Sequence, residues 1–349
     1  MSISKYIYLF AVIATLGIVA SCSKNDSKPD TNANKAELAR IIDSLTHVYN
    51  NTAEGSHPGQ YAIGARTALD SIINLAVQVN TGNVYTQEQV NNALHNLLAA
   101  GQLFNTKLLQ EVSVANLMAF WKFNGNAADS SGHGHDGILR TDFIGANAAT
   151  GVNGGTLPQL VPDRFGRPNM AYDFKNGATI EIPYDGTLNP QSLTISCWVK
   201  IPGTNPNNYI FSLNTYNGFK FQLQSNNFLF FTFHDSNNGY HDVDDNPGAV
   251  TPNVWTHCVV SYTNGTMKFY VSGQLVKTAG VNGTPITVNP PVNLAIGNDL
   301  PQHNVTNPGT YNYYYGPNYF IGSIDDVRFY NTALSDAEVL SIFTQENSL

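Results

Sequence analysis

Leu193-Thr-Ile-Ser-Cys-Trp-Val-Lys200 sets Leu193, Ile195, Cys197 and Val199 on one face of an extended chain and Thr194, Ser196 and Trp198 on the other. Side chains of a strand alternate between faces, so the octet predicts a strand with an apolar inner side. Trp255-Thr-His-Cys-Val-Val-Ser-Tyr262 and Met267-Lys-Phe-Tyr-Val-Ser272 alternate in the same way, with Gly, Asn and Pro turns between the runs. Short strands at regular spacing after Val114 predict a mainly β fold over residues 114–349, a sandwich or a jelly roll. The exception is Ala333 to Phe343, which predicts a closing helix with Ser335 as N-cap and Glu338 at the third helical position.

Upstream, the apolar period is helical. Leu38, Ile41, Ile42, Leu45 and Val48 form one stripe; Ala65, Leu69, Ile72, Ile73 and Ala76 form a second after Pro58-Gly59. Val90, Ala93, Leu94, Leu97, Gly101, Phe104 and Leu108 form a third, opened by a Thr86/Gln89 capping box. A small antiparallel three-helix bundle over residues 35–113 is expected, serving as a spacer or as a separate ligand-binding module.

The first 21 residues read as an export signal: Lys5, then an apolar run from Tyr6 to Ala20 too short for a membrane span, then Ser21-Cys22. Val19-Ala20-Ser21-Cys22 resembles the bacterial lipobox, which implies lipidation of Cys22 and attachment to a membrane through that anchor. Residues 22–34 are polar and read as a flexible tether. The stretch resembles those of lipoproteins of Gram-negative polysaccharide degraders, which implies an outer-membrane location, at the cell surface or facing the periplasm. An export compartment permits a disulfide between Cys197 and Cys258, and two buried thiols fit the pattern equally.

Charged residues make up only 12% of the 349, with a net charge of −8, so no surface suited to nucleic acid is expected. The polar surface must come from Asn, Thr, Ser and Tyr, a composition that suits neutral, hydrogen-bonding turns and sugar-binding surfaces.

Six blocks carry a more specific signal. Phe120 to Gly137, Ala171 to Gly177, Leu193 to Lys200, Trp255 to Tyr262, Val271 to Leu275 and Ile321 to Ser335 follow one another in an order that resembles the laminin G-like, concanavalin A-like jelly-roll family, which implies a jelly-roll sandwich of two antiparallel sheets. The helical segment resembles FIVAR-type modules of surface-attached bacterial proteins. The jelly-roll family is shared by lectins, adhesion modules, carbohydrate-binding modules and glycoside hydrolases, so the fold does not assign the function.

A hydrolase needs two carboxyl groups about 5–9.5 Å apart. The segment from Val114 holds three glutamates, of which only Glu181 falls on a predicted strand, and the Glu-x-Asp-x-x-Glu strand of hydrolases with this fold is absent. Asp242, Asp244 and Asp245 could substitute, but Gly239 to Pro247 reads as an irregular loop. A non-catalytic protein is expected. The resemblance implies a structural calcium ion held by Asp129 and by Asp325 or Asp326, with carbonyls near Gly132 and His135; Asp129 serving a turn and Asp325 pairing with Arg328 is the alternative.

Sugar rings need aromatic faces and polar partners. Tyr240 and His241 supply these in one segment. The long insertion from Gly297 supplies more, with Asn298 and Asp299 at its start and Tyr311, Tyr313, Tyr314, Tyr315 and Tyr319 following. The expected function is capture of a polysaccharide or oligosaccharide at the cell envelope, for partner hydrolases or a glycan importer. An adhesion protein with a protein partner, or a hydrolase with an atypical carboxylate site, is the alternative.

Overall fold

The computed structural model describes residues 31–141, 156–214, 217–237, 239–245, 249–289, 291–301 and 319–348. Cys22, Tyr311, Tyr313, Tyr314 and Tyr315 lie outside the described residues.

Among the described residues three helices come first, α1 (Ala36–Asn50), α2 (Ala65–Thr81) and α3 (Gln87–Asn105). Leu38, Ile41 and Ile42 meet Leu69, Ile73, Val90, Leu97 and Phe104 in one core, as the stripes require. Thr86 caps α3: its hydroxyl accepts from the Gln89 amide while the Gln89 side chain accepts from the Thr86 amide. A methyl group at Gly101 would stand 3.0 Å from Leu45 Cδ2, so this glycine sets how closely α1 and α3 approach. No helix among the described residues is long and apolar enough to cross a membrane.

Fifteen strands follow among the described residues. They are β1 (Leu117–Trp121), β2 (Ile138–Thr141), β3 (Gln159–Val161), β4 (Ala171–Phe174) and β5 (Ala178–Ile182). Next come β6 (Leu193–Lys200), β7 (Asn208–Leu213), β8 (Phe219–Leu223), β9 (Leu229–His234) and β10 (Tyr240–Asp244). The last are β11 (Thr256–Thr263), β12 (Thr266–Val271), β13 (Gln274–Ala279), β14 (Leu294–Ile296) and β15 (Gly322–Tyr330). One sheet runs β13-β12-β11-β6-β15-β4-β3, with β1 also on β15; the other runs β10-β9-β8-β7-β14-β5-β2. Each described pairing is antiparallel. Beside β15, β4 holds Gly322 to Ile324 and β1 holds Val327 to Tyr330, so two short strands share the flank opposite β6.

The inward faces of both sheets form the main core. Ile195, Cys197 and Val199 of one sheet lie in the same cluster as Phe211, Phe219, Phe221 and Phe231 of the other. Cys197 and Cys258 are register partners with free, buried thiols, and burial pushes both thiols up from their usual range.

The octet β6 is buried on its outer face too, which alternation alone does not require. The cover is the closing helix α4 (Asp336–Glu346), capped by Ser335 and Glu338 as the sequence predicts. Phe343 stacks on Trp198 at 5.7 Å between ring centroids, and Val339 and Ile342 join Phe120, Val259, Tyr270 and Tyr330 in a second, smaller core. The chain between α3 and β1 is tied to this helix, with the Gln110 amide donating to Ser341 Oγ at 2.7 Å.

Candidate ligand-binding face

The seven-stranded sheet presents an outer face of a different character. In register, Glu181 lies beside Ala295, Ala295 beside Ser212, Ser212 beside Lys220, Lys220 beside Thr232 and Thr232 beside Asp242. Residues directly opposite in antiparallel strands point to the same face, so one row of mostly polar groups crosses β5, β14, β7, β8, β9 and β10. The apolar residues of these strands, Ile180, Leu294, Phe211, Phe219, Phe221, Phe231 and Phe233, point the other way into the core.

Aromatic rings flank the row. Tyr209 pairs with Gln222 and Gln222 with Phe230, and Tyr240 pairs with His234, their rings stacked at 4.6 Å. Tyr240 is 52% exposed and forms the open end of the face. Lys220 donates from Nζ to the Tyr209 hydroxyl at 2.9 Å and lies over the Tyr209 and Phe230 rings. Burial pushes the Lys220 ammonium down, and the carboxylates of Asp299 and Asp242 counter this. Gln222 Oε1 and Thr232 Oγ1 are buried and have no hydrogen-bond partner among the described residues.

The β14 end brings the chain back over this face. Gly297 has a φ of +84°, and a Cβ there would stand 2.3 Å from the Phe174 ring, so only glycine fits the turn. Past it, the Ser212 hydroxyl donates to the Asp299 carbonyl at 2.7 Å.

Of the residues singled out from sequence, Tyr240 and Asp299 come to this face, and Tyr319 bridges Asn298 at its margin. Asn298 is fully buried and closes the turn itself, accepting from the Asp299 amide at 2.7 Å and donating to the Leu300 carbonyl at 3.3 Å. His241 does not join Tyr240, because neighbours along a strand face opposite ways; it stacks on Phe233 and holds Asp235 at 2.9 Å. That bond and the amides of Gly239 and Asn237 bring the Asp235 carboxyl down to about 2. The segment Tyr240 to Asp244 is a regular edge strand and not the irregular loop expected from its polar sequence.

Residues 174–340 match the family described as the concanavalin A-like lectin/glucanases superfamily. No curated protein sequence matches the chain. Among solved structures, domain 4 of AbnA, a GH43 extracellular arabinanase from Geobacillus stearothermophilus, in complex with arabinotriose, is similar at 23% identity and a TM-score of 0.47. The similarity covers 65% of this chain and 98% of that one. The binding domain of Paraclostridial Mosquitocidal Protein 1 is similar at 18% identity and a TM-score of 0.45, covering 66% of this chain and 52% of that one.

The calcium expectation meets a donor set that is already used. Both carboxylate oxygens of Asp129 accept: Oδ1 from the Phe120 and Ser131 amides, Oδ2 from the Ser131 hydroxyl and the His135 amide. Burial raises the Asp129 carboxyl, and these bonds outweigh it and hold the group below its usual value. The His135 carbonyl accepts from Trp121 Nε1 at 2.7 Å, while Gly132 shapes the loop with a φ of +92°.

Asp325 and Asp326 share one guanidinium, with Arg164 Nη1 2.9 Å from an oxygen of each. Their partner is therefore Arg164 and not Arg328, which pairs with Glu346 at 2.7 Å. Among the described residues no group of three or more His, Cys, Asp or Glu stands together as metal ligands would. A carboxylate with about four acceptor sites filled and a pair already held by one arginine do not fit a calcium ion.

Sequence reasoning had no signal for this arginine cluster. Asp163 accepts from the Phe165 and Arg167 amides, forming the tight turn that carries Arg164. Arg164 also donates to the Glu346 carbonyl at 2.6 Å and lies over Trp198, whose Nε1 donates to Glu346 Oε2 at 2.7 Å. The cluster fastens the end of α4 to the outer face of the eight-stranded sheet.

Proposed function

We propose that the polar row on the seven-stranded sheet binds a polysaccharide and that the protein is a non-catalytic carbohydrate-binding protein. The observation that carries this reading is the row Ser212, Lys220, Thr232 and Asp242 bordered by Tyr209, Phe230 and Tyr240. Sugar rings pair hydroxyls with polar groups and present C–H patches to aromatic faces, and the open end of this face offers both in the exposed Tyr240 ring and the exposed Asp242 carboxylate. Glu181 and Asp242 stand five strand spacings apart, about 24 Å, far beyond the reach of two carboxyl groups acting on one glycosidic bond.

Replacing the exposed ring with Tyr240→Ala is expected to lower polysaccharide affinity about tenfold, about 1.4 kcal/mol, while the melting temperature stays within about 2 °C. Affinity electrophoresis against soluble polysaccharides measures the first and calorimetry the second. Retention unchanged in the variant would remove Tyr240 from the site.

The lipobox-like Val19 to Cys22 supports lipid anchoring at the outer membrane, with the glycan passed to an importer or hydrolases. Cys22→Ser is expected to move the chain from the membrane fraction to the soluble fraction of expressing cells. A variant that stays membrane-bound would contradict the anchor.

A further inference from the structure

The helical bundle passes into the jelly roll with no free chain between them. On the bundle side, residues 107–109 pair with the α1–α2 connection. The Ala62 amide donates to the Lys107 carbonyl at 2.9 Å, the Gly59 amide to the Leu109 carbonyl at 2.9 Å, and the Leu109 amide to the Gln60 carbonyl at 2.8 Å. The very next amide, that of Gln110, donates to Ser341 Oγ of α4 at 2.7 Å. Val112 then packs against the smaller core under α4, Ser113 Oγ accepts from the Ala115 amide at 3.2 Å, and the Asn116 carbonyl accepts from the Asn331 amide at 3.0 Å. Two bodies that swing on each other need several unbonded residues between them, and here the handover takes one peptide bond.

Burial points the same way. Val339, Ile342 and Glu346 recur at helical spacing on the side of α4 that meets the sheet, so Ser341 falls on the far side of the helix. Ser341 is nevertheless fully buried, which requires a cover other than the sheet. Leu109 is buried yet lies outside the bundle core, and Leu340 is buried yet lies outside both sandwich cores. These two residues adjoin the Gln110–Ser341 bond in sequence, one on each body, as a dry seam between them requires. Lys107 Nζ adds an outer contact, donating to Gln274 Oε1 at the start of β13 at 3.2 Å.

We propose that the bundle is the standing partner of α4 and moves with the jelly roll as one body, pressing the closing helix onto the eight-stranded sheet from outside. Arg164 holds the end of α4 and Gln110 its middle.

The test uses the full chain carrying Cys22→Ser, which leaves only the two buried thiols, with nitroxide labels on Ser71→Cys of α2 and Thr251→Cys of the jelly roll, both exposed positions. Double electron–electron resonance is expected to give one narrow distance distribution, no wider than the labels' own side-chain spread. A distribution several times wider would overturn the proposal. Ser341→Ala supplies a second readout, since it removes the acceptor without adding bulk. Hydrogen exchange at the Gln110 amide is expected to quicken about tenfold, and cleavage by trypsin after Lys107 to quicken with it. A Gln110 amide that already exchanges fast in the parent chain, and is unmoved by the substitution, would overturn the seam.

Discussion

Arg164→Met is expected to lower the stability of the jelly roll by about 3–5 kcal/mol, with the melting temperature falling by about 10 °C. Arg164, Asp325 and Asp326 have side chains 4%, 3% and 13% exposed, so solvent does little to screen them. Burial and the neighbouring Asp326 carboxylate push the Asp325 carboxyl up even with the guanidinium present. Without it, two adjacent carboxylates face each other in a low-dielectric site, and the Glu346 carbonyl at the end of α4 loses both of its Arg164 donors. Protonation offers the variant a partial escape, so the deficit should shrink as pH falls. Arg164→Lys keeps the charge but not the fork that reaches Asp325, Asp326 and Glu346 together, and should fall between the two. Urea unfolding of the three proteins measures this; a loss below about 1 kcal/mol in the methionine variant would show that the cluster does not hold α4.

The second large effect is the loss of stability in acid caused by His257. This ring is fully buried between Trp198 and Phe343, and Ser196 Oγ lies 2.8 Å from its Nε2. Burial, then the charges of Arg164 and Arg328, lower its pKa to about 3. The folded value lies below the unfolded value of about 6.5, so the folded state favours the neutral ring. This contribution is fully present above pH 6.5 and is lost as pH falls from there toward 3. It amounts to about 4–5 kcal/mol over that window. Asp325 acts with the opposite sign, since its raised pKa makes the folded state gain from acidification. Comparing wild type with His257→Leu cancels that term: the stability difference between them should change by about 4–5 kcal/mol in favour of the variant between pH 7 and 3. Parallel stability curves would contradict the buried neutral ring.

The octet at Leu193 made the sandwich legible because its inner positions are strictly apolar, and the Ser335/Glu338 and Thr86/Gln89 boxes marked two helix starts to the residue. What the octet could not reveal is that Thr194, Ser196 and Trp198 are buried as well, since their cover arrives from α4 more than 130 residues later. The strand Tyr240 to Asp244 was hidden for a related reason. An edge strand with one polar and one half-buried face carries no apolar alternation, and its aspartates resemble those of a turn. The binding face was less legible still. Ser212, Lys220, Thr232 and Asp242 sit on four successive strands and Glu181 joins them only across β14, so it is the strand register, which the sequence does not display, that aligns them. Tyr240 and Asp299 were found from residue type, whereas Tyr209, Lys220 and Gln222 sit in apolar strands that read as core.

The account's central claim is that glycan lies across β7, β8, β9 and β10. Hydrogen–deuterium exchange of the protein, with and without a saturating polysaccharide that the gels retain, tests it directly. The expected result is new protection confined to residues 208–213, 219–234 and 240–244 together with the turn at Asn298 and Asp299. Protection appearing instead on β13 and α4, or in the helical module, with the seven-stranded sheet unchanged, would contradict it.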